Sequence, residues 1–458
     1  MTPPIMPTRV LIVGGGGREH ALAWKLANEP GVNAVWVGPG NPGAAAEPRV
    51  RIVPGLDPRD GPAIVALSRA EAIELVVIGP EAPLAAGVAD TLMAAGVAVF
   101  GPTRSAARIE TSKAFCRDVA TTAGVPLARG AAFARLAPAR AFAAEVCADG
   151  AGVVIKADGL AAGKGVTVCD DPAAADRALE SIFTGASTTD PGEAPRVVIE
   201  ERLAGREASL IALSDGRTAL ALPAARDHKR LADGDTGPNT GGMGAYSPLP
   251  DLPDELAEEL LERVHRPILV ELARRGTPFR GALYAGLMLT RDGPRLLECN
   301  ARFGDPETQV ILPRLGVALG PLLLAAAHGR LEAAARGLGL VGSLLPVTRQ
   351  ATVGVVVAAG GYPDAPRTGD AIEGLAEAGE DGALVFQAGT VRDAAGTLRT
   401  AGGRVLTVVG RGPDLDAARE IANRAAGAIR FAGCQRRSDI ARDVPAAVSQ
   451  PAPVGAGR

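Results

Sequence analysis

Aromatic side chains are scarce: Phe, Tyr and Trp make up 3% of the 458 residues. A core for a chain this long must therefore be built from Ala, Val, Leu and Ile. Lysine is scarcer still. Of 48 basic residues only five are Lys, at positions 25, 113, 156, 164 and 229. Arginine stands wherever either cation would serve, so the remaining lysines mark candidate places for a compact ammonium rather than a planar fork. The five cysteines (116, 147, 169, 299 and 434) form no C-x-x-C pair. That excludes a disulfide framework or a zinc ribbon and fits a reducing compartment. The N-terminal MTPPIMPTRVLIV holds no cleavable apolar segment of signal-peptide type. No uncharged apolar run approaches the roughly 20 residues needed to span a bilayer; LGVALGPLLLAAA (315–327) is among the longest. Neither charge sign dominates, and a net charge of −3 offers no basic field for nucleic acid. These absences predict a cytoplasmic protein with no nucleic-acid and no membrane partner.

What remains is globular. Apolar residues are 47% and charged residues 22% of the chain, and the length implies several domains. The 58 Gly and 36 Pro are dispersed among apolar runs, as in a protein with many turns. Residues 9–100 alternate short apolar strands (10–13, 35–37, 74–80, 97–100) with helical patterns (19–29, 89–96), which implies a parallel, doubly wound layer. Residues 113–340 are mixed: strands at 153–159, 196–203, 281–289 and 294–300, a long helix over 254–275, and a polar loop of little periodicity at 226–250. Residues 341–440 alternate strands with Gly-rich turns and end in a helix over 414–429, as in a small α+β domain. The tail 446–458 is low in complexity and is expected to be disordered.

Five segments could carry chemistry. VGGGGREHAL (13–22) sets a glycine turn between strand and helix, which aims N–H groups at an anion. A dinucleotide-binding G-x-G-x-x-G would need a third glycine at position 19 or 20, where Glu19 and His20 stand, so a dehydrogenase is disfavoured. The turn either clamps a phosphate with Arg18 or only packs helix on sheet. IKADGLAAGKGV (155–166) puts Lys156 on a strand and Lys164 in a small-residue loop, too short between its glycines for a Walker A. Such a loop can still close over a triphosphate; the alternative is a surface hairpin. In VVIEERLAGREASL (197–210), Glu200 and Glu201 are either solvated edge charges or part of a hinge beside an adenine edge, with Glu207 accepting from ribose hydroxyls.

The loop 225–248 gathers Asp227, His228, Lys229 and Arg230 before the glycines 237, 241, 242 and 244. Glycines so dense are hard to order unless a ligand approaches the backbone, and the charges suit a zwitterionic or phosphorylated small molecule. His228 is equally readable as a structural hydrogen-bonder. Finally, in LLECNARFGDPETQ (296–309), Glu298 and Asn300 are i and i+2 on a strand and share one face. Two oxygen ligands there suit Mg²⁺ beside nucleotide phosphates, with Cys299 turned to the core. Arg302 could reach charge developing on a transferring phosphoryl group.

Taken in order, these motifs resemble the ATP-grasp ligases, and among them the phosphoribosylamine–glycine ligase (glycinamide ribonucleotide synthetase) family of purine biosynthesis. GGREHALAWK, IGPEAPL, FGPT, SKAF, IKADGLAAGKGV, DHKR, DTGPNTGGMGAYSP, LYAGLM, NARFGDPETQ and AAGGYP carry the resemblance over residues 8–440. It implies an α/β multidomain fold: a Rossmann-like N-terminal domain (1–110), an ATP-grasp core (111–340) with an inserted lid at about 125–203, and a small α+β C-terminal domain (341–445). It implies that Lys113, Lys156, Gly163, Lys164 and Gly165 hold ATP phosphates. Glu200, Glu201 and Leu203 would border adenine, Glu207 ribose, and Glu298 and Asn300 would carry Mg²⁺ or Mn²⁺. Gly16, Gly17, Arg18, Glu19, Glu81, Asp227, His228, Lys229, Gly241, Gly242, Met243 and Gly244 would bind the substrates glycine and 5-phosphoribosylamine. Arg302 and Asp305 would be catalytic, and the enzyme a monomer.

The implied chemistry is attack of glycine carboxylate on the γ-phosphate, then of the amine on glycyl phosphate. Two departures stand out. Cys299 replaces the aromatic residue expected between the metal ligands, and strand 281–289 offers no second carboxylate. A bicarbonate-using ATP-grasp enzyme fits the 225–248 loop poorly; a non-catalytic nucleotide sensor would not need the metal pair.

Overall fold

The computed structural model describes residues 4–148, 150–159, 165–185, 195–380, 382–442 and 444. Gly163, Lys164, most of the loop 185–195 and the tail 446–458 lie outside them.

The N-terminal unit is a parallel sheet in the spatial order Val50–Ile52, Ala34–Pro39, Arg9–Gly14, Leu75–Ile78, Val99–Phe100. VLIV and LVVI are buried along their whole length, as strands covered on both faces must be. Helices Gly17–Ala27, Gly61–Ala70 and Val88–Ala94 supply the cover. Asp60 caps the second by accepting from the Ala63 N–H at 2.9 Å.

Two antiparallel four-stranded sheets follow. The smaller runs Gly130–Phe133, Val197–Glu201, Val153–Ala157, Val166–Cys169. Helices Leu136–Cys147 and Pro172–Phe183 lie on it and share a hydrophobic cluster of its own, including Val146, Ile155, Leu179 and Ile199. The larger sheet runs Ala219–Ala221, Arg206–Asp215, Arg280–Thr290, Gly293–Asn300. Residues 202–205 join the last strand of one sheet to the first of the other. The apolar run 315–327 contributes the buried helix Gly320–Ala327, and no helix among the described residues is long and apolar enough to cross a membrane.

Two expectations need correction. The segment 226–250 is not structureless: it holds strands Arg226–Asp227, Arg230–Ala232, Thr236–Asn239 and Gly244–Ser247. The first and last of these join Ala351–Ala358, Arg404–Gly412 and Leu384–Gln387 in one five-stranded sheet. The C-terminal sheet is thus completed by chain from the centre of the sequence. The helix over 254–275 is interrupted by a π-helical turn, Leu261–His265, between Asp254–Leu260 and Arg266–Arg274. Pro267 lacks an N–H and crowds the carbonyl one turn back, which widens the coil there. Helix Leu415–Ala428, capped by Asp414, packs Ala418, Ala422 and Ala425 against the sheet.

Candidate functional site

A cavity of about 1070 Å³ lies between the sheets and is walled by all three units. Strand Val153–Ala157 delivers Lys156, whose Nζ donates to the Leu297 carbonyl at 2.8 Å and pairs with Glu200 Oε2 at 2.7 Å. Arg117 holds the other oxygen of Glu200 at 2.7 Å. Helix Lys113–Thr122 delivers Lys113 at its first turn, where Ser112 accepts from the Phe115 N–H; the Lys113 Nζ donates to the Gly159 carbonyl at 2.8 Å. Burial draws the Lys113 ammonium below its usual range. Of the four lysines among the described residues, three (113, 156 and 229) line this cavity. The other, Lys25, pairs with Glu29 at 3.6 Å.

On the facing sheet, strand Gly293–Asn300 carries Glu298 and Asn300 to the cavity, while Cys299 between them is 3% exposed and buried in the core. Enclosure opposes the charge on Glu298, but Lys229, Lys156 and Lys113 together outweigh it and hold its carboxyl below the usual carboxylate range. Lys229 Nζ sits 2.7 Å from Glu207 Oε2 and 3.9 Å from Glu298 Oε1. A carboxylate and an amide oxygen are hard donors, and an ammonium already rests against the carboxylate. The pair therefore fits a divalent cation of the Mg²⁺ type. Asp227 stands in the same field: enclosure and the charges of Glu307, Glu207 and Glu298 push its carboxyl up to about 7, against the pull of Lys229.

The hinge residues Glu201, Leu203 and Glu207 border the cavity, as does Gly165. Glu200, one candidate edge charge, is instead buried and ion-paired to Lys156 and Arg117.

The glycine turn is closed by bonds within its own segment. The Gly16 N–H donates to Glu19 Oε2 at 2.6 Å, and Arg18 Nε to Glu19 Oε1 at 2.6 Å. Glu19 is thus packed inside the turn; a Cβ at Gly79 would stand 2.0 Å from its Oε1. Arg18 NH1 donates to the Phe303 carbonyl at 3.1 Å, so the turn is braced on the segment holding Arg302 and Asp305. Arg302 reaches the cavity wall between Glu81 (3.3 Å) and Glu110 (3.0 Å), and these carboxylates raise its basicity against the effect of burial. Asp305 accepts from Gln309 Nε2 at 2.8 Å and faces Arg404 NH2 at 3.4 Å.

Of the glycine-rich segment, Gly241 lines the cavity. Gly242 has φ +113° and abuts Pro306, where a Cβ would come within 2.5 Å. Met243 is fully buried, and Gly244 pairs with Val355 in the five-stranded sheet; neither is brought to the cavity wall. Gly16, Gly17 and Glu19 also stand behind the wall rather than in it. Wall residues that escape sequence reasoning include Glu110, Tyr362, Arg404 and Arg437. Tyr362 OH accepts from the Gly241 N–H at 2.9 Å, and Arg404 NH1 donates to the Gly241 and Asp305 carbonyls, each at 2.6 Å. AAGGYP flagged Tyr362 only as part of a motif; the others are single charges with no spacing to mark them.

Two antiparallel sheets closing on a lysine-lined cavity, with an oxygen-ligand pair on the facing strand, define an ATP-grasp protein. Family models agree along the chain: phosphoribosylglycinamide synthetase N domain at residues 8–110, its ATP-grasp (A) domain at 111–308 and its C domain at 352–443. The chain belongs to the phosphoribosylglycinamide synthetase family. A phosphoribosylamine–glycine ligase of Streptomyces coelicolor is 49% identical, over 94% of this chain and 98% of that protein. One from Ralstonia nicotianae is 46% identical over the same shares. The crystal structure of phosphoribosylamine–glycine ligase from Thermotoga maritima matches with TM-score 0.78 and 34% identity, covering 94% of this chain and 100% of that one. A biotin carboxylase domain from Hydrogenobacter thermophilus, solved with MgADP and bicarbonate, shares the fold at TM-score 0.69 and 18% identity, covering 94% and 92%.

Proposed function

We propose that the chain joins glycine to 5-phosphoribosylamine at the expense of ATP, giving glycinamide ribonucleotide, ADP and phosphate by way of glycyl phosphate. The observation that carries this reading is the gathering of three scarce lysines against the Glu298–Asn300 strand in the cavity of a member of this family. Lys113 and Lys156 bind the nucleotide's phosphates, and the family resemblance adds Lys164, which lies outside the described residues. Glu201 and Leu203 border the base and Glu207 the ribose. Glu298 and Asn300 hold Mg²⁺ or Mn²⁺, which when bound neutralises phosphate charge. Arg302, oriented by Glu81 and Glu110, faces the charge that develops as the γ-phosphoryl group moves to the glycine carboxylate. No side-chain nucleophile is needed; positioning and exclusion of water are what the site supplies.

The unit at about 125–203 serves as the lid, inserted in a core of 111–340 between domains 1–110 and 341–445. A hydrophobic cluster of its own supports its moving as one body. The protein works as a cytoplasmic monomer, a setting consistent with five free thiols. ADP release measured with glycine, bicarbonate and other amino acids, each with and without phosphoribosylamine, tests the reading. Release that requires glycine and is driven to turnover by phosphoribosylamine is expected; turnover with bicarbonate and none with glycine would refute it.

A further inference from the structure

Amide formation obliges the attacking amine to lose a proton, and most acceptors on the cavity wall are already engaged. Glu200 is paired to Lys156 and Arg117, Asp305 to Gln309 and Arg404, and Glu307 accepts from Ser209 at 3.0 Å. Asp227 stands among the Glu207, Glu298 and Glu307 charges, opposed by Lys229, beside the candidate cation ligands.

His228 is different. It lines the cavity, and its buried Nε2 has no hydrogen-bond partner among the described residues. Its main chain is fixed by two bonds to the segment 243–244: its N–H donates to the Gly244 carbonyl at 2.9 Å, and the Met243 N–H donates to its carbonyl at 2.7 Å. Its ring lies tilted against Tyr246, centroids 6.0 Å apart. Its other nitrogen, Nδ1, faces Asp235 Oδ1 at 3.7 Å. Asp235 is in turn held by Arg437, whose NH1 donates to it at 2.6 Å. Arg437 is 1% exposed and is gripped at Nε and NH2 by both oxygens of Asp439, each at 2.7 Å. Asp439 Oδ2 also accepts from the Gly234 N–H at 2.8 Å, tying this segment to the turn that carries Asp235. At 3.7 Å the approach of Asp235 to His228 is a charge contact rather than a hydrogen bond; a carboxylate on that side of the ring favours the proton on Nδ1 and leaves Nε2 as the acceptor.

We propose that His228 is the catalytic base for the second half-reaction, and that Asp235 and Arg437 are its positioning residues. The inference rests on the ligase reading above. The amine lone pair forms the new C–N bond, and the acyl C–O bond breaks. Inorganic phosphate leaves with that electron pair, and the proton on nitrogen passes to His228 Nε2. The C-terminal unit thereby contributes to chemistry carried out in the core, through Arg437.

The test separates the half-reactions in the full-length protein. Positional isotope exchange in ¹⁸O-labelled ATP with glycine alone reports phosphoryl transfer; glycinamide ribonucleotide formation reports both steps. His228→Asn should lower amide formation about 10²-fold or more beyond any loss in exchange. Imidazole should partly restore a His228→Gly variant. Asp235→Asn, on an exposed turn, should repeat the split at about tenfold or more, with a melting curve to confirm that the variant is folded. Equal losses in exchange and amide formation in His228→Asn, or no recovery of amide formation by imidazole in His228→Gly, would overturn the assignment and leave the ligase reading standing. A wild-type protein with no glycine-dependent exchange and no amide product would overturn both.

Discussion

The charge on Glu298 is upheld against enclosure by Lys229, Lys156, Lys113 and Arg302. Removing that carboxylate at nearly constant volume should therefore spare the fold and cripple the chemistry. Glu298→Gln is expected to lower turnover at saturating Mg²⁺ by about 10²-fold or more, with the thermal midpoint unmoved; ADP release and a melting curve measure both. His265 gives a second, independent effect. It is fully buried, Nε2–H donates to the Leu210 carbonyl at 3.1 Å, and burial lowers its pKa from 6.5 to about 4. The unfolded chain takes up a proton near pH 6.5 while the folded one resists it until about 4, so stability falls as pH drops through that window. The loss should total roughly 3 kcal/mol, and His265→Gln should flatten the dependence of the urea midpoint on pH. At this scale the sequence was informative where a residue type is rare. Three of its five lysines mark the cavity, whereas Glu110 and Arg404 act through pairings with Arg302 and Asp305 that lie about 100 to 190 residues away and leave no local pattern.

Elements with a clear period were legible. The strands at 10–13, 281–289 and 351–358 are apolar runs long enough to declare themselves, and 153–157 is one broken only by Lys156. The short strands of 226–247 were not, because two to four residues carry no period and the partner, Ala351–Ala358, lies more than 100 residues on. Dense glycine there reads as loop, yet Gly244 is required by close approach: a Cβ would stand 2.5 Å from the Gly354 carbonyl. The same logic governs the last strand and helix. A Cβ on Gly410 would come 2.1 Å from the Ala418 carbonyl and 2.6 Å from the Ala422 nitrogen, both backbone atoms of helix Leu415–Ala428. Gly410→Ala must push the helix off the sheet and should lower stability by about 1–3 kcal/mol, read as a reduced urea midpoint at unchanged slope.

Across the whole molecule the three units meet around one carboxylate. Burial alone would raise the Asp305 pKa, but Arg404 from the C-terminal unit, Arg18 from the N-terminal unit and Arg302 from the core hold it low. The order of domains could be read along the chain, but this convergence could not, since each unit contributes single side chains to a surface made only by folding. The convergence puts the nucleotide's reacting end and the acceptor in one enclosure, as transfer of a phosphoryl group to a carboxylate requires. Glycine labelled with ¹⁸O in its carboxylate tests that transfer most directly, by mass analysis of the products of a single turnover with ATP and phosphoribosylamine. Passage through glycyl phosphate carries one labelled oxygen into inorganic phosphate and leaves the other in the amide carbonyl; phosphate that emerges free of label would contradict it.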